Sequence, residues 1–149
     1  MPLITENKRS LFDYEILARY HAGIVLLGFE AKAVFYKKAA LAGSFVIVRG
    51  GEAFWINATI APYQPKNTPK GYEKTRPRKL LLSKREIAEL AGKTAQKGLT
   101  LIPISLYNEG RKIKLEFGLA RSKKKFEKRE DIKEREFARE KGRALRGED

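Results

Sequence analysis

The chain has 149 residues, 32 of them Lys or Arg against 18 Asp or Glu, for a formal net charge of +14. That length fits one domain with a real core, and the imbalance points to a phosphate-rich partner met by fast, salt-sensitive association. The absence of cysteine excludes a disulfide framework, thiolate metal sites and a thiol nucleophile, and without an apolar run of ~18 residues or a signal-peptide core the chain reads as soluble and cytoplasmic.

Residues 1–10 are short and polar, with Lys8 beside Arg9, and read as a loose arm. Residues 13–17 and 23–27 hold apolar runs of strand length. Leu27, Ala31, Val34 and Phe35 then recur at helical intervals, so a helix is expected over residues 28–38. Residues 44–49 and 52–60 form the clearest hairpin. Gly50-Gly51 supplies the positive φ angles of a two-residue turn, and Phe54, Ile56, Ala58 and Ile60 alternate onto one face. Trp55 falls on the other face, either exposed or packed beneath a helix.

Residues 62–77, with Pro65, Pro69 and Gly71, read as a long loop. Ser83-Lys84-Arg85-Glu86 is a capping box that opens a helix with Ile87, Leu90, Ala91 and Ala95 in a stripe and Gly98 as its stop. Residues 99–107 and 111–119 make a second hairpin around Asn108-Glu109-Gly110. It sets Ile113, Leu115, Phe117 and Leu119 on one face, and Pro103 marks an edge or a bulge. About six strands without βαβ alternation indicate a mainly β fold with flanking helices, a small antiparallel OB-like barrel over residues 1–120.

Residues 121–149 form a basic tail. Its large apolar residues Phe126, Ile132, Phe137 and Leu145 do not line one helical face, so burial cannot offset the entropy of ordering it. Pairs such as Asp131 with Arg135 support a helix only by tenths of a kcal/mol each. A tail disordered when free, and helical once phosphates neutralise it, is the expectation. It lacks the continuous apolar face of a membrane-surface helix.

Catalytic candidates are few. His21 is the single histidine, which argues against His-based metal clusters and Ser-His-Asp arrangements. Asp13 and Glu15 on one strand would share a face, as a Mg²⁺-holding nuclease pair would, although two ordinary solvated acids is the favoured reading. No GxxxxGK[ST] or GxGxxG occurs, and no metal, cofactor or catalysis is expected. Signals for nucleic acid converge instead. Arg76-Pro77-Arg78-Lys79 and Lys84-Arg85 bracket residues 80–82 at the capped helix, where amides also favour anions. Lys37, Lys38, Lys66, Lys70 and Lys74 extend the positive surface, and Tyr36, Tyr63, Tyr72 and Trp55 are candidates for stacking on unpaired bases.

A series of motifs in order carries a resemblance: Asn7-Lys8, Asp13-Tyr14, Ala22-Gly23-Ile24-Val25-Leu26, Gly28 with Glu30 and Lys32, and Gly51-Glu52-Ala53-Phe54. IAPY at 60–63, RPRKLLL at 76–82 with KREI at 84–87, KGLTLIP at 97–103 and IKERE at 132–136 continue it. Together they resemble the SsrA-binding protein (small protein B) family over about residues 7–145. The resemblance implies an OB-like barrel that docks on the elbow of the tRNA-like domain of tmRNA (SsrA RNA). Such a protein aids charging by alanyl-tRNA synthetase and delivers the RNA, with elongation factor Tu, to stalled ribosomes. The tail would fold in the vacant mRNA path beside small-subunit rRNA.

The same resemblance implies RNA-binding roles for Asn7, Lys8, Glu30, Lys32, Arg76, Arg78, Lys79, Lys84 and Arg85. Glu30 would accept from guanine N–H groups or a ribose hydroxyl while the cations neutralise phosphates. It implies ribosome contacts for Lys123, Lys124, Lys125, Glu127, Lys128, Arg129, Lys133 and Arg135. This sequence departs from the family at Glu127, which stands for Asp, at Phe29 for Thr, and at Phe35 and Ala40 for polar residues. The alternatives are a general tRNA- or ribosome-binding OB protein and the Mg²⁺-dependent nuclease.

Overall fold

Residues 3–123 and positions 133, 135, 136 and 139 are described in the computed structural model, which begins with β1 (Leu3–Glu6) and α1 (Lys8–Asp13). There follow β2 (Tyr14–Ile24), α2 (Gly28–Phe35), β3 (Ala39–Ala40), β4 (Phe45–Arg49), β5 (Glu52–Ile56) and β6 (Thr59–Ile60). A 3₁₀ turn (Pro65–Asn67), β7 (Arg78–Leu81), α3 (Lys84–Thr94), β8 (Leu99–Glu109) and β9 (Lys112–Ser122) complete the body. Strands β8, β4, β5, β7, β2 and β9 succeed one another in antiparallel pairing, and β9 returns to β8. The ring is therefore a closed barrel, which removes the free edges a small open sheet would expose.

The first ten residues are not a loose arm. β1 pairs with β8, setting Thr5 opposite Leu106 and Glu6 opposite Ser105, and it buries Ile4. β2 likewise runs as one continuous strand where two shorter ones are expected, with an irregularity between Ile16 and Ala18.

Inside the barrel, Leu101 and Leu106 of β8 meet Leu115 and Phe117 of β9, Trp55 of β5 and Leu80 of β7. Trp55 is 0% exposed, and its indole N–H donates to Ser44 Oγ at 3.0 Å. Simple alternation misplaces it because Asn57 sits at a left-handed φ of 62° and resets the chain. Ala53 and Trp55 point inward before that kink, and Ala58 and Ile60 do so after it. Phe54 and Ile56 stay partly exposed. The Gly50-Gly51 turn adopts the expected positive φ, 60° and 75°.

β8 is buried on both sides, from Leu101 to Tyr107. The bulge between Pro103 and Ser105 shifts its parity, so Leu101 and Leu106 both reach the main core. Ile102 and Ile104 lie outside that core, on the side covered by α1. Gly118 of β9 makes this outer packing possible: a Cβ there would lie 2.8 Å from Ile16 Cγ2 and 3.1 Å from Ile104 Cδ1. α3 buries Leu90 against β4 and β8, whereas Ala91 and Ala95 of its expected stripe are exposed.

β9 extends to Ser122, which pairs with Tyr14, and the Lys123 amide donates to Asp13 O at 2.9 Å. The body therefore ends near 123 rather than 120. Lys124, Lys125, Glu127, Lys128 and Arg129 lie outside the described residues, as does most of the segment expected to be disordered. Lys133 and Arg135 have helical backbone, and the Arg135 guanidinium lies 5.2 Å from the Phe12 ring centroid. Among the described residues no helix is long and apolar enough to cross a membrane.

Two glycine substitutions test this packing with opposite signs. Gly118→Ala forces atoms into the Ile16–Ile104 contact and is expected to cost about 1–3 kcal/mol of stability. Gly92→Ala adds a Cβ that meets nothing within 4 Å on an exposed turn of α3 and is expected to gain about 0.5–1 kcal/mol. Urea midpoints followed by Trp55 fluorescence measure both.

Candidate nucleic-acid interface

Helix α2 opens on Leu27, a residue with no side-chain acceptor for the orphan amides of the first turn. Glu30 supplies one from inside the helix, and the Leu27 N–H donates to its Oε1 at 2.9 Å. The rest of that carboxylate faces the strand and loop beyond. Arg78 of β7 donates to Oε2 through Nε (3.1 Å) and Nη2 (2.7 Å). Arg76 donates through Nε to Oε2 at 3.1 Å and through Nη2 to Oε1. The Tyr72 hydroxyl lies 2.8 Å from Oε2 and 3.0 Å from Ile60 O.

Arg78 continues the network outward. Its Nη1 donates to Ala58 O at 2.8 Å and its Nη2 to Lys74 O at 2.9 Å. The Ile60 amide also donates to Lys74 O, at 3.0 Å. One carboxylate and one guanidinium thus pin the loop between β6 and β7 at both ends. Phe29 sets its edge against Tyr72, with ring centroids 4.7 Å apart at 84°. That contact gives Phe29, a departure from the family pattern, a place in the same assembly.

Glu30 and Arg78 side chains are both 0% exposed. Their expected direct contacts with RNA are corrected accordingly: every polar edge they have is turned to protein. Asn7 is also buried. It caps α1 by accepting from the Ser10 amide (3.4 Å), and its Nδ2 donates to Pro103 O (3.1 Å) at the β8 bulge. Exposed positions are Lys8, Lys32, Lys79, Lys84 and Arg85, while Arg76 keeps part of its guanidinium accessible. Lys79 is shared with Glu52 at 3.2 Å.

Of these cations only Arg76 joins the Glu30 cluster. Lys32 leaves α2 two residues after Glu30 and lies over Tyr63, whereas Lys79 leaves β7 next to Arg78 and pairs with Glu52. β7 then leads directly into Lys84 and Arg85. Lys8 belongs to a separate neighbourhood, where α1 meets β8. At the start of α3 the expected capping box forms: Ser83 Oγ accepts from the Glu86 amide (3.1 Å) and Glu86 Oε1 from the Ser83 amide (3.3 Å). Lys84 and Arg85 occupy the first turn, the end of a helix where cations are disfavoured and an incoming anion is welcome.

The acidic pair does not assemble. Asp13 ends α1 rather than sharing a strand face with Glu15, and it accepts from Arg9 Nε at 3.2 Å. Glu15 pairs with Arg121 at 2.6 Å. His21 lies 2.8 Å through Nδ1 from the Tyr107 hydroxyl. Tyr72, considered for base stacking, serves the Glu30 cluster instead. The cluster itself escaped sequence reasoning because Glu30 is 46 and 48 positions from its arginines. An acid three residues past an uncappable helix start was its only local sign.

Comparisons with known proteins fit this arrangement. Residues 4–147 match the family model described as SmpB protein. The SsrA-binding protein of Carboxydothermus hydrogenoformans is 46% identical over 144 residues, covering 97% of this chain and 96% of the relative. That of Thermosynechococcus vestitus is 44% identical over 144 residues, covering 97% and 95%. A solved chain from the work "tmRNA-SmpB: a journey to the center of the bacterial ribosome" superposes with a TM-score of 0.69 at 45% identity, covering 84% of this chain and 87% of that one.

Burial alone would push the Glu30 carboxyl up. The Arg76 side chain, the Leu27 amide, Arg78 and Tyr72 together outweigh it and hold the group at about 2, against 4.5 unperturbed. A depressed acid contributes stability that is complete above its unfolded pKa and disappears as pH falls through the folded one. A displacement of this size corresponds to about 3 kcal/mol. Glu30→Gln is therefore expected to lose stability of that order at pH 7, and the gap to the parent should close between pH 4.5 and 2. Urea unfolding of both proteins across that range measures it; a gap independent of pH would contradict the assignment.

Proposed function

The chain belongs to the SmpB protein family, and from that premise we propose that it is a non-catalytic RNA-binding adaptor of ribosome rescue. It grips the tRNA-like domain of tmRNA and accompanies it to stalled ribosomes in trans-translation. The observation that carries this reading is the match across residues 4–147, which takes in both the barrel and the basic C-terminal run. The curated relatives are SsrA-binding proteins, and the solved relative comes from work on tmRNA and the bacterial ribosome.

In this reading Lys8, Lys32, Arg76, Lys79, Lys84 and Arg85 neutralise phosphates, a contact type that fixes register without reading sequence. Asn7, Glu30 and Arg78 act from beneath, by holding the surface that carries those cations. The division of labour runs at about residue 123. The barrel reads the RNA, and Lys123, Lys124, Lys125, Glu127, Lys128, Arg129, Lys133 and Arg135 meet the ribosome along the empty mRNA path. Elongation factor Tu and alanyl-tRNA synthetase are partners through the RNA, and the setting is the bacterial cytoplasm. Nothing in the mechanism calls for a metal or cofactor, because positioning, not bond chemistry, is the task.

Two experiments test it. Lys84→Gln combined with Arg85→Gln is expected to weaken binding to the tRNA-like domain and to flatten the salt dependence by about 0.7–0.9 log units per lost phosphate contact. Filter binding from low to moderate salt, with ordinary tRNA as competitor, reads both affinity and selectivity; equal competition by tRNA would favour a general tRNA-binding protein. Truncation after Lys123 is expected to leave that affinity nearly unchanged and to abolish peptide tagging on stalled ribosomes in a reconstituted translation system. Loss of RNA binding with tagging intact would reverse the assignment.

A further inference from the structure

Helix α2 ends at Tyr36, and Lys37 follows in the left-handed region at φ 61°. That reversal sends the Lys37 amide to Val34 O and the Lys38 amide to Ala33 O, both at 2.9 Å. The side chain just before the turn is thrown outward, and Tyr36 is 56% exposed, among the most exposed large apolar residues described. Such exposure has a cost that burial elsewhere does not recover.

The ring is nonetheless held in place. Pairing of Ala39 with Ile60 and of Ala40 with Thr59 fixes β3 against β6, and the Ala61 amide donates to Lys38 O at 3.0 Å. These bonds set Tyr63 beneath Tyr36, with ring centroids 4.4 Å apart and planes 25° from parallel. The Lys32 ammonium lies 4.7 Å from the Tyr63 centroid. A gap of 4.4 Å between rings leaves no room for an ammonium, so Lys32 covers the far face of Tyr63. The order is cation, ring, ring, and the outer face of Tyr36 ends the stack. Beside it opens a recess of about 500 Å³ lined by Tyr63, Gln64, Pro65 and Lys66.

The geometry points to this ledge as a stacking site for one unpaired nucleobase of the bound RNA, with its phosphates toward Lys32, Lys37 and Lys66. A flat, preorganised aromatic face rimmed by cations is the chemistry that single-stranded nucleotides require. A protein side chain would find too little enclosed apolar area, and an anion alone would have no use for the rings. The inference rests on the RNA-binding reading above and adds to it a contact with a base rather than with the backbone.

The test uses the full-length protein and the tRNA-like domain of tmRNA, transcribed with 2-aminopurine at single unpaired positions. Tyr36→Ala is expected to weaken binding about 10-fold or more, and Tyr36→Phe to remain within about twofold of the parent. Neither changes the salt slope, because no phosphate contact is removed, and neither shifts the melting temperature appreciably. One labelled position should be quenched by the parent and not by Tyr36→Ala. If the parent binds tightly and Tyr36→Ala binds within about twofold of it, the ledge is empty and only this inference falls. A loss in Tyr36→Phe equal to that in Tyr36→Ala would assign the effect to the hydroxyl and likewise overturn it. If the parent itself fails to bind this RNA, both readings fall together.

Discussion

A carboxylate taken wholly out of water is tolerable only when its lone pairs are filled by donors that carry compensating charge. Glu30 meets that condition with two guanidiniums, a phenol and a backbone amide. The consequence is geometric before it is energetic. An apolar cluster in the same volume would hold α2 against β7 in any of several orientations. Six directional bonds allow one. Because Arg78 passes the constraint on to Ala58 O and Lys74 O, the loop between β6 and β7 inherits the same single arrangement. That segment carries Lys66, Lys70, Lys74 and Arg76 against Glu73 alone, and the Glu30 carboxylate beside it offsets part of the excess positive charge.

This arrangement separates two roles that residue chemistry alone confounds. Polar residues that hold a basic surface in place need not themselves reach its outer face. Asn7 behaves in the same way at the other neighbourhood, fastening the start of α1 to the Pro103 carbonyl at the β8 bulge. A buried polar residue of this kind and an exposed lysine can both be necessary for binding. They differ in what their loss does to the fold and to the salt response.

What could be read in the sequence was whatever short-range physics decides. The two hairpins, the Ser83–Glu86 capping box, the α2 helix and the irregularity at Pro103 each depend on residues within a few positions of one another, and each is present. Trp55 was ambiguous because one left-handed residue, Asn57, changes strand parity, and Asn is tolerant of φ > 0 without announcing it. The first ten residues look loose until β8 offers them an edge. The Glu30 cluster depends on closure of the barrel, which brings α2, the loop and β7 together. A series of motifs identified a family, yet it could not say which of its polar residues face inward.

The two ends of α2 divide the work of the surface. Near its N-terminus Glu30 faces the interior, while its C-terminus turns out Tyr36 through a left-handed lysine. The two ends are joined by more than the helix. The Tyr72 hydroxyl touches both Glu30 and Ile60 O; Ile60 pairs with Ala39; and the next residue, Ala61, donates to Lys38 O. Any loosening of the buried carboxylate therefore reaches the stacked rings along a chain of hydrogen bonds only a few links long. Exposed aromatics normally lose binding energy to their own rotamer freedom. Here that freedom is reduced in advance by the stacked Tyr63 ring, the Lys32 ammonium behind it and the backbone bonds that tie β3 to β6.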